Sequence, residues 1–296
     1  FIFILLGIGN VAKGVVCSTY NKVKKTERKI IGLNDGFVPQ GLGYNEEKNL
    51  IFQSGYFKND NHCVIYITNS SGKTKKVYVN IDQNTKYAGH FGGIASYKDF
   101  VYVSEDFEKN GIDYSNRLYI FSLNDLLDEN KDTVFIDKYI EIEEEGACVS
   151  ISDGYLYTGE FYSAGSYETK SNHHITNPNN ITQPALVSAY RLDETKENGL
   201  GDVEFQISVP KAIQGFTIKD DTCIISTSWG PLPSKMNYYH LDRSKTIDNP
   251  VSDVPLYYID ETCLIKSITM PAMSEGIYIK DNRVNVYFES AGNKYV

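Results

Sequence analysis

Apolar and polar positions follow one plan five times along this chain. Each block opens on a small or glycine-containing step and runs through a short apolar stretch. It breaks at a turn of Lys, Asp, Asn or Gly, then resumes with a second apolar stretch. The blocks are VPQGLGYNEEKNLIFQSGY (38–56), GHFGGIASYKDFVYVSED (89–106), EGACVSISDGYLYTGEF (145–161), IQGFTIKDDTCIISTSWG (213–230) and SEGIYIKDNRVNVYFES (274–290). Apolar runs on either side of such a turn predict β-hairpins.

Two further strand-like runs follow each of the first four blocks. They are CVIYIT and KKVYVNI, RLYIFSL and TVFIDKYIEI, ALVSAYRL and VEFQISV, and KMNYYHL and PLYYIDE. Four strands per repeat, spaced by about 50 to 70 residues, is the pattern of β-propeller blades. The expected fold is all-β, a five-bladed β-propeller. A β-sandwich is the runner-up, but it does not explain five glycine-led hairpins. The fifth block has no outer strands of its own. KVKKTERKIIGL (22–33) is the unassigned strand-like segment near the N-terminus. It is expected to pack as an outer strand beside the last hairpin and close the ring, because an unpaired blade leaves an open edge. Residues 163–183 and 242–253 read as surface loops, so a single domain spans 19–296.

Composition agrees with strands: 23 Tyr and 14 Phe against one Trp, residue types that pack well on a pleated surface. The net charge of −9 argues against a nucleic-acid or anionic-membrane binder, which needs a basic face. Its blander reading is a solvated acidic surface. FIFILLGIGNVAKGVV (1–16) reads as the apolar core and tail of a secretory signal, making 1–18 a leader remnant and the chain secreted. A buried strand is the competing reading. The apolar run is too short for a membrane span, which takes about 20 residues. Asn69-Ser70-Ser71 and Asn180-Ile181-Thr182 are sequons compatible with export. Cys17, Cys63, Cys148, Cys223 and Cys263 form no CxxC pair and read as buried free thiols. The chain is expected to be a monomer.

In a propeller, the first strand of each blade lines the central channel. The residues just before the repeated glycines therefore share one level: Gln40, Glu145, Gln214 and Glu275, with His90 near Gly92 in the second block. Glu144 or Ser150 replaces Glu145 if the third block is slipped. Such a ring has two uses: holding Ca²⁺ through Gln40, Glu145, Gln214 and Glu275, since Ca²⁺ takes oxygen ligands, or hydrogen-bonding a polar small molecule or glycan. The structural alternative is that these groups bond waters and backbone and hold the blades together. Glu160, Trp229 and Glu289 stand where second strands leave the channel mouth. Trp229 offers a stacking surface, with inter-blade packing as its alternative. The acidic residues would serve as general acids or bases if burial raised their pKa. His173-His174 lies in a Ser/Asn loop and reads as solvated. The sequence has no Walker loop, GxSxG, HExxH or zinc-spaced Cys/His set.

FVPQGLGY, GHFGGIA, IQGFTI…STSWG and MSEGIYI…VYFESAGNKY resemble the motifs of secreted bacterial and fungal β-propeller-like proteins, a group of uncharacterised function. More distantly, the design is similar to the calcium-dependent propeller hydrolases of the lactonase and apyrase type. That second likeness is at fold level only. Two readings follow. One is a secreted propeller that binds a polar small molecule or glycan at the channel mouth. The other is a Ca²⁺-dependent hydrolase of a lactone, phosphoester or related small substrate.

Overall fold

Turn chemistry sets the hairpins first. Asp153-Gly154, Asp220-Asp221 and Asp281-Asn282 each place two successive residues at positive φ. That is the type I′ geometry whose twist matches paired strands, and Asp, Asn and Gly tolerate it best. The three turns join β12 (Cys148–Ser152) to β13 (Tyr155–Gly159), β18 (Ile213–Lys219) to β19 (Thr222–Thr227), and β23 (Ser274–Lys280) to β24 (Arg283–Phe288). The first two blocks form likewise, as β1 (Phe37–Asn45) with β2 (Leu50–Phe57), and β5 (Phe91–Tyr97) with β6 (Phe100–Glu105). All five predicted hairpins are present in the computed structural model, which describes residues 17–105, 108–109 and 112–292. The proposed leader at 1–16 lies outside the described residues.

Further strands complete four blades. β3 (Cys63–Thr68), β4 (Thr74–Asn80) and β10 (Thr133–Phe135) extend the first, in the order β1-β2-β3-β4-β10. β9 (Arg117–Ser122) and β11 (Tyr139–Glu141) extend the second, β5-β6-β9-β11. β16 (Ala185–Leu192), β17 (Leu200–Val209) and β21 (Leu256–Tyr258) extend the third, β12-β13-β16-β17-β21. β20 (Ser234–His240) and β22 (Leu264–Met270) extend the fourth, β18-β19-β20-β22. Two short ribbons lie in connections: β7 (Glu108–Lys109) with β8 (Ile112–Asp113), and β14 (Ile175–Thr176) with β15 (Thr182–Gln183).

The propeller-like expectation holds, but the blade count changes: there are four blades, not five. β23 and β24 form a two-stranded sheet by themselves. This hairpin occupies the gap between the fourth blade and the first. β1 packs beside β5, β5 beside β12, β12 beside β18, β18 beside β23, and β23 beside β1.

The closing strand is also corrected. Residues 22–33 form no strand. A short helix, Ser18–Val23, is followed by irregular chain and a 3₁₀ turn at Leu33–Asp35. The segment still reaches the last hairpin. Tyr20 packs on the face carrying Ile279, Val284, Val286 and Phe288, while Ile30 and Ile31 pack with Tyr278 and Tyr287. Those two sets alternate along the strands and so lie on opposite faces. The chain between them therefore crosses the outer edge of β24 as a strap. Five Lys or Arg in 22–29 favour a solvated path over pairing, and lysines are a common guard of strand edges.

Two outer strands differ from expectation as well. TVFIDKYIEI is two strands: β10 runs parallel to β4 in the first blade, and β11 pairs with β9 in the second. In PLYYIDE, β21 joins the third blade parallel to β17, and the fourth blade is finished by β22. In both places the chain clasps the outside of the preceding blade before completing its own. Val134 and Leu256 are buried by this clasp.

The glycine step has a packing cause. Register shifts occur between Pro39 and Gly41, Phe91 and Ile94, Ile213 and Gly215, and Ser274 and Ile277. Each is a β-bulge, which bends the inner strand and re-aims a side chain. A Cβ on Gly41 would lie 2.4 Å from the Gly92 carbonyl oxygen, and one on Gly93 would lie 2.1 Å from the Val149 nitrogen. One on Gly215 would lie 2.8 Å from the Glu275 oxygen, and one on Gly276 would lie 2.6 Å from the Leu42 nitrogen. Neighbouring inner strands thus touch backbone to backbone around the ring. The third blade has no register shift, and there Ser150 Oγ donates to the Phe216 carbonyl across the gap.

Candidate functional site

Antiparallel pairing brings the start of each inner strand to the end of its second strand. Val38 faces Tyr56, Phe91 faces Glu105, Cys148 faces Gly159, Ile213 faces Thr227, and Ser274 faces Phe288. Gln40, His90, Glu145, Glu160, Gln214, Trp229, Glu275 and Glu289 all belong to that end of the ring, the channel mouth.

Their surroundings differ. Gln40 is buried, and its Nε2 donates 3.2 Å to the Pro39 carbonyl. Gln214 is half-buried, whereas Glu275 and Glu289 are buried. Glu289 opens a 3₁₀ turn whose first N–H donates 2.9 Å to the Met273 carbonyl. The His90 ring lies 4.9 Å from that of Tyr56, and the His90 backbone N–H donates 2.6 Å to Glu105 Oε1. Glu105 Oε2 accepts 2.6 Å from the Tyr87 hydroxyl. Among the described residues, no three His, Cys, Asp or Glu side chains gather into a group able to hold a metal.

The third blade carries the densest chemistry. Glu160 is buried and accepts from Leu186 N–H (2.9 Å), Glu145 N–H (3.3 Å) and His173 Nδ1 (2.7 Å). Glu145 and Glu160, named separately as candidates, are thus brought together through a backbone N–H. His173, expected to be solvated, is fully buried. The 163–183 insertion folds back over the mouth and carries it there. Its Nε2 stands 3.6 Å from Glu143 Oε1, beyond hydrogen-bond length. Lys170 pairs with Glu143 at 2.8 Å, and this bond holds the Glu143 carboxyl below its ordinary range. No local sequence signal marks the His173 contact, because its partner Glu160 lies across a folded loop.

Beneath this cluster, Glu144 is sealed in the blade. Thr158 and Ser188 donate to its two oxygens, the latter at 2.7 Å. Gln206 Nε2 donates 3.0 Å to Ser188 Oγ, and Asn249 and Ser252 donate to Gln206 Oε1 at 2.9 and 2.8 Å. Burial, reinforced by the charge of Glu160 and opposed by the Ser188 bond, pushes the Glu144 carboxyl up to about 8. Of the three residues weighed for the third position at the mouth, Glu144 and Ser150 are buried and Glu145 is half-buried.

Trp229 is 49 % exposed. It packs against Phe161 (5.4 Å between centroids, 46°) and edge-on to Tyr167 (5.5 Å, 84°). Phe161 and Tyr167 meet at 5.4 Å and 90°. Phe161 directly follows Glu160, so the aromatic cluster adjoins the Glu160–His173 pair.

A groove of about 450 Å³ lies elsewhere, between the loop at 242–245 and the start of β22. His240, Asp242, Lys245, Tyr258 and Cys263 are among its lining residues. His240 pairs with Thr222, at the end of β19 away from the mouth. Cys17, Cys63, Cys148 and Cys223 are buried and Cys263 is half-buried, and no two of the five form a disulfide. No helix of the described residues is long and apolar enough to cross a membrane.

The sheets define the class: an all-β, propeller-like protein. No protein-family model and no curated protein matches the chain, so the family resemblance seen in the sequence stays a resemblance. Among solved structures it is similar to glutaminyl cyclase of Myxococcus xanthus, at 9 % identity over 85 % of each chain and a TM-score of 0.42. It is also similar to a putative oxidoreductase (glucose dehydrogenase) of Thermus thermophilus, at 10 % identity over 86 % of this chain and 92 % of that one, TM-score 0.41. An exo-β-1,3-galactanase of Phanerochaete chrysosporium follows at 12 % identity, over 68 % and 47 % of the two chains, TM-score 0.41. At such identity these likenesses carry no activity to this chain.

Proposed function

We propose that the channel mouth binds a polar, ring-containing small molecule or glycan, and that the chain acts as an exported binding propeller. The observation that carries this reading is Trp229. A tryptophan half open to solvent, braced on two sides by Phe161 and Tyr167, is a preset stacking plane. The C–H face of a sugar ring suits such a plane, because it is apolar on one side and polar at its rim. Lys170 and Glu143, from the third blade that also supplies Phe161 and Tyr167, and Gln214, in the first strand of the fourth blade, supply polar groups at the same end.

Trp229 is also the chain's single tryptophan, so its emission reports the mouth alone. The test titrates mono- and oligosaccharides against this emission, with and without added Ca²⁺. A binder is expected to shift or quench the signal. Trp229→Ala, followed by calorimetry, is expected to weaken the same sugar on the order of tenfold, about 1.4 kcal/mol. The reading fails if no sugar changes the emission, or if the variant binds as tightly as the parent. A rise of melting temperature with Ca²⁺ that chelation reverses would instead favour the calcium-dependent alternative, since a metal binding only the folded state stabilises it.

A further inference from the structure

The seam of the ring leaves a strand edge without a partner. β24 pairs with β23 alone. Among the described residues, no backbone hydrogen bond joins 283–288 to any other segment, although the strap at 21–29 passes over that edge. Asn285 Nδ2 reaches the Arg283 carbonyl at 3.4 Å, and this is the one side-chain bond to the β24 backbone among the described residues. In every complete blade the equivalent edge is filled by a third strand. Alternate N–H and C=O groups of β24 therefore face outward and are free to template another strand.

The strap gives this edge a charge. Lys22, Lys24, Lys25, Arg28 and Lys29 stand against a single Glu27, in a chain whose net charge is −9. All of them are exposed, and among the described residues the one ion pair of the strap is Lys24 with Glu27 at 2.6 Å. Arg283, at the start of β24, is exposed and has no ion pair among the described residues. The edge is thus flanked by unpaired cations on a protein that is otherwise acidic.

We infer that the β24 edge is a docking site for an extended acidic segment of a partner chain, added as a third strand of the incomplete blade. Main-chain bonds to β24 supply the pairing, and the partner's carboxylates meet Lys22, Lys25, Arg28, Lys29 and Arg283. This is strand addition to an exposed sheet edge, with charge selecting the partner. It does not rest on ligand binding at the mouth, which lies at the Phe288 end of the hairpin.

The probe is a fluorescein-labelled peptide of seven residues, alternating glutamate and valine. Its controls are a lysine–valine peptide and the glutamate–valine peptide N-methylated at alternate residues. Anisotropy is expected to rise with the first peptide alone and to fall back as salt is added. Amide exchange at alternate positions of 283–288 is expected to slow when it binds. A triple variant, Lys25→Glu with Arg28→Glu and Lys29→Glu, is expected to bind it at least tenfold more weakly while melting like the parent. The inference is overturned by no binding, by equal binding of the lysine or N-methylated peptide, or by binding that leaves exchange in β24 unchanged. If the strap is only a guard, no peptide binds and removing its charges leads to self-association instead.

Discussion

The third blade and the last hairpin begin alike and finish differently. Both present a small residue or glycine to the next inner strand, and both turn through two residues at positive φ. The third then gains β16, β17 and β21, a polar chain from Glu144 to Asn249, and a folded insertion over its mouth. The hairpin gains a strap that lies across its edge without bonding to it. Closure of the ring therefore depends on the inner contacts, while rigidity depends on what is laid outside them.

Backbone clashes provide the strongest test. Gly93 faces the third blade, and its substitution by valine would drive a side chain into the Val149 nitrogen. Neither strand can yield, because both lie within complete sheets. Gly93→Val is expected to cost at least about 3 kcal/mol, enough to prevent cooperative folding of a marginally stable domain. Gly276→Val meets Leu42 across the seam, where a two-stranded hairpin can move outward. Its expected cost is smaller, about 1–2 kcal/mol. Urea denaturation followed by circular dichroism measures both. Equal losses would mean that the seam is as stiff as a complete blade, and the contrast would collapse.

The second test uses Glu144, a buried acid of the third blade whose carboxyl is pushed well above its ordinary range. Glu144 is shifted up to about 8 from an ordinary 4.5. Between those values the folded chain keeps a proton that the unfolded chain releases. Stability therefore falls as pH rises through that window, and the loss is complete above the folded value. Glu144→Gln cannot ionise. At pH 9 it is expected to be more stable than the parent by roughly 1–3 kcal/mol, and at pH 5 to lie within about 1 kcal/mol of it. Parallel stability curves for the two proteins across this range would remove Glu144 as their source.

What the sequence made legible follows the same division. Hairpins are local, and KDD, SDG and KDN turns between apolar runs announce them, so all five were readable. Repeat register also put Gln40, Gln214 and Glu275 in inner strands and Glu145 just before one. The outer strands were less readable. TVFIDKYIEI reads as one strand, but its halves bond to different blades through contacts distant in sequence. The same holds for the His173 pairing, which depends on how an insertion folds back. KVKKTERKIIGL was placed beside the correct hairpin by its need for cover, yet its charges keep it from pairing. Charge patterning, weighed against apolar pattern, would have separated strap from strand.

The smallest expected effect lies at that strap. Tyr20 is half-buried, and its ring meets Phe288 edge-on at 6.0 Å. Its hydroxyl is pushed up first by burial and then by Glu27. Tyr20→Ala removes this anchor and leaves every strand pair intact. The expected loss is about 1 kcal/mol, below the cost for a fully buried aromatic ring. A freed strap would carry its charges away from the open edge of β24, and a strand edge without guarding charges invites pairing with another copy. Sedimentation velocity at rising concentration is therefore expected to show more self-association than in the parent. If Tyr20→Ala stays monomeric and loses no stability, the strap neither anchors nor guards the seam, and the hairpin is held by its neighbours' inner strands alone.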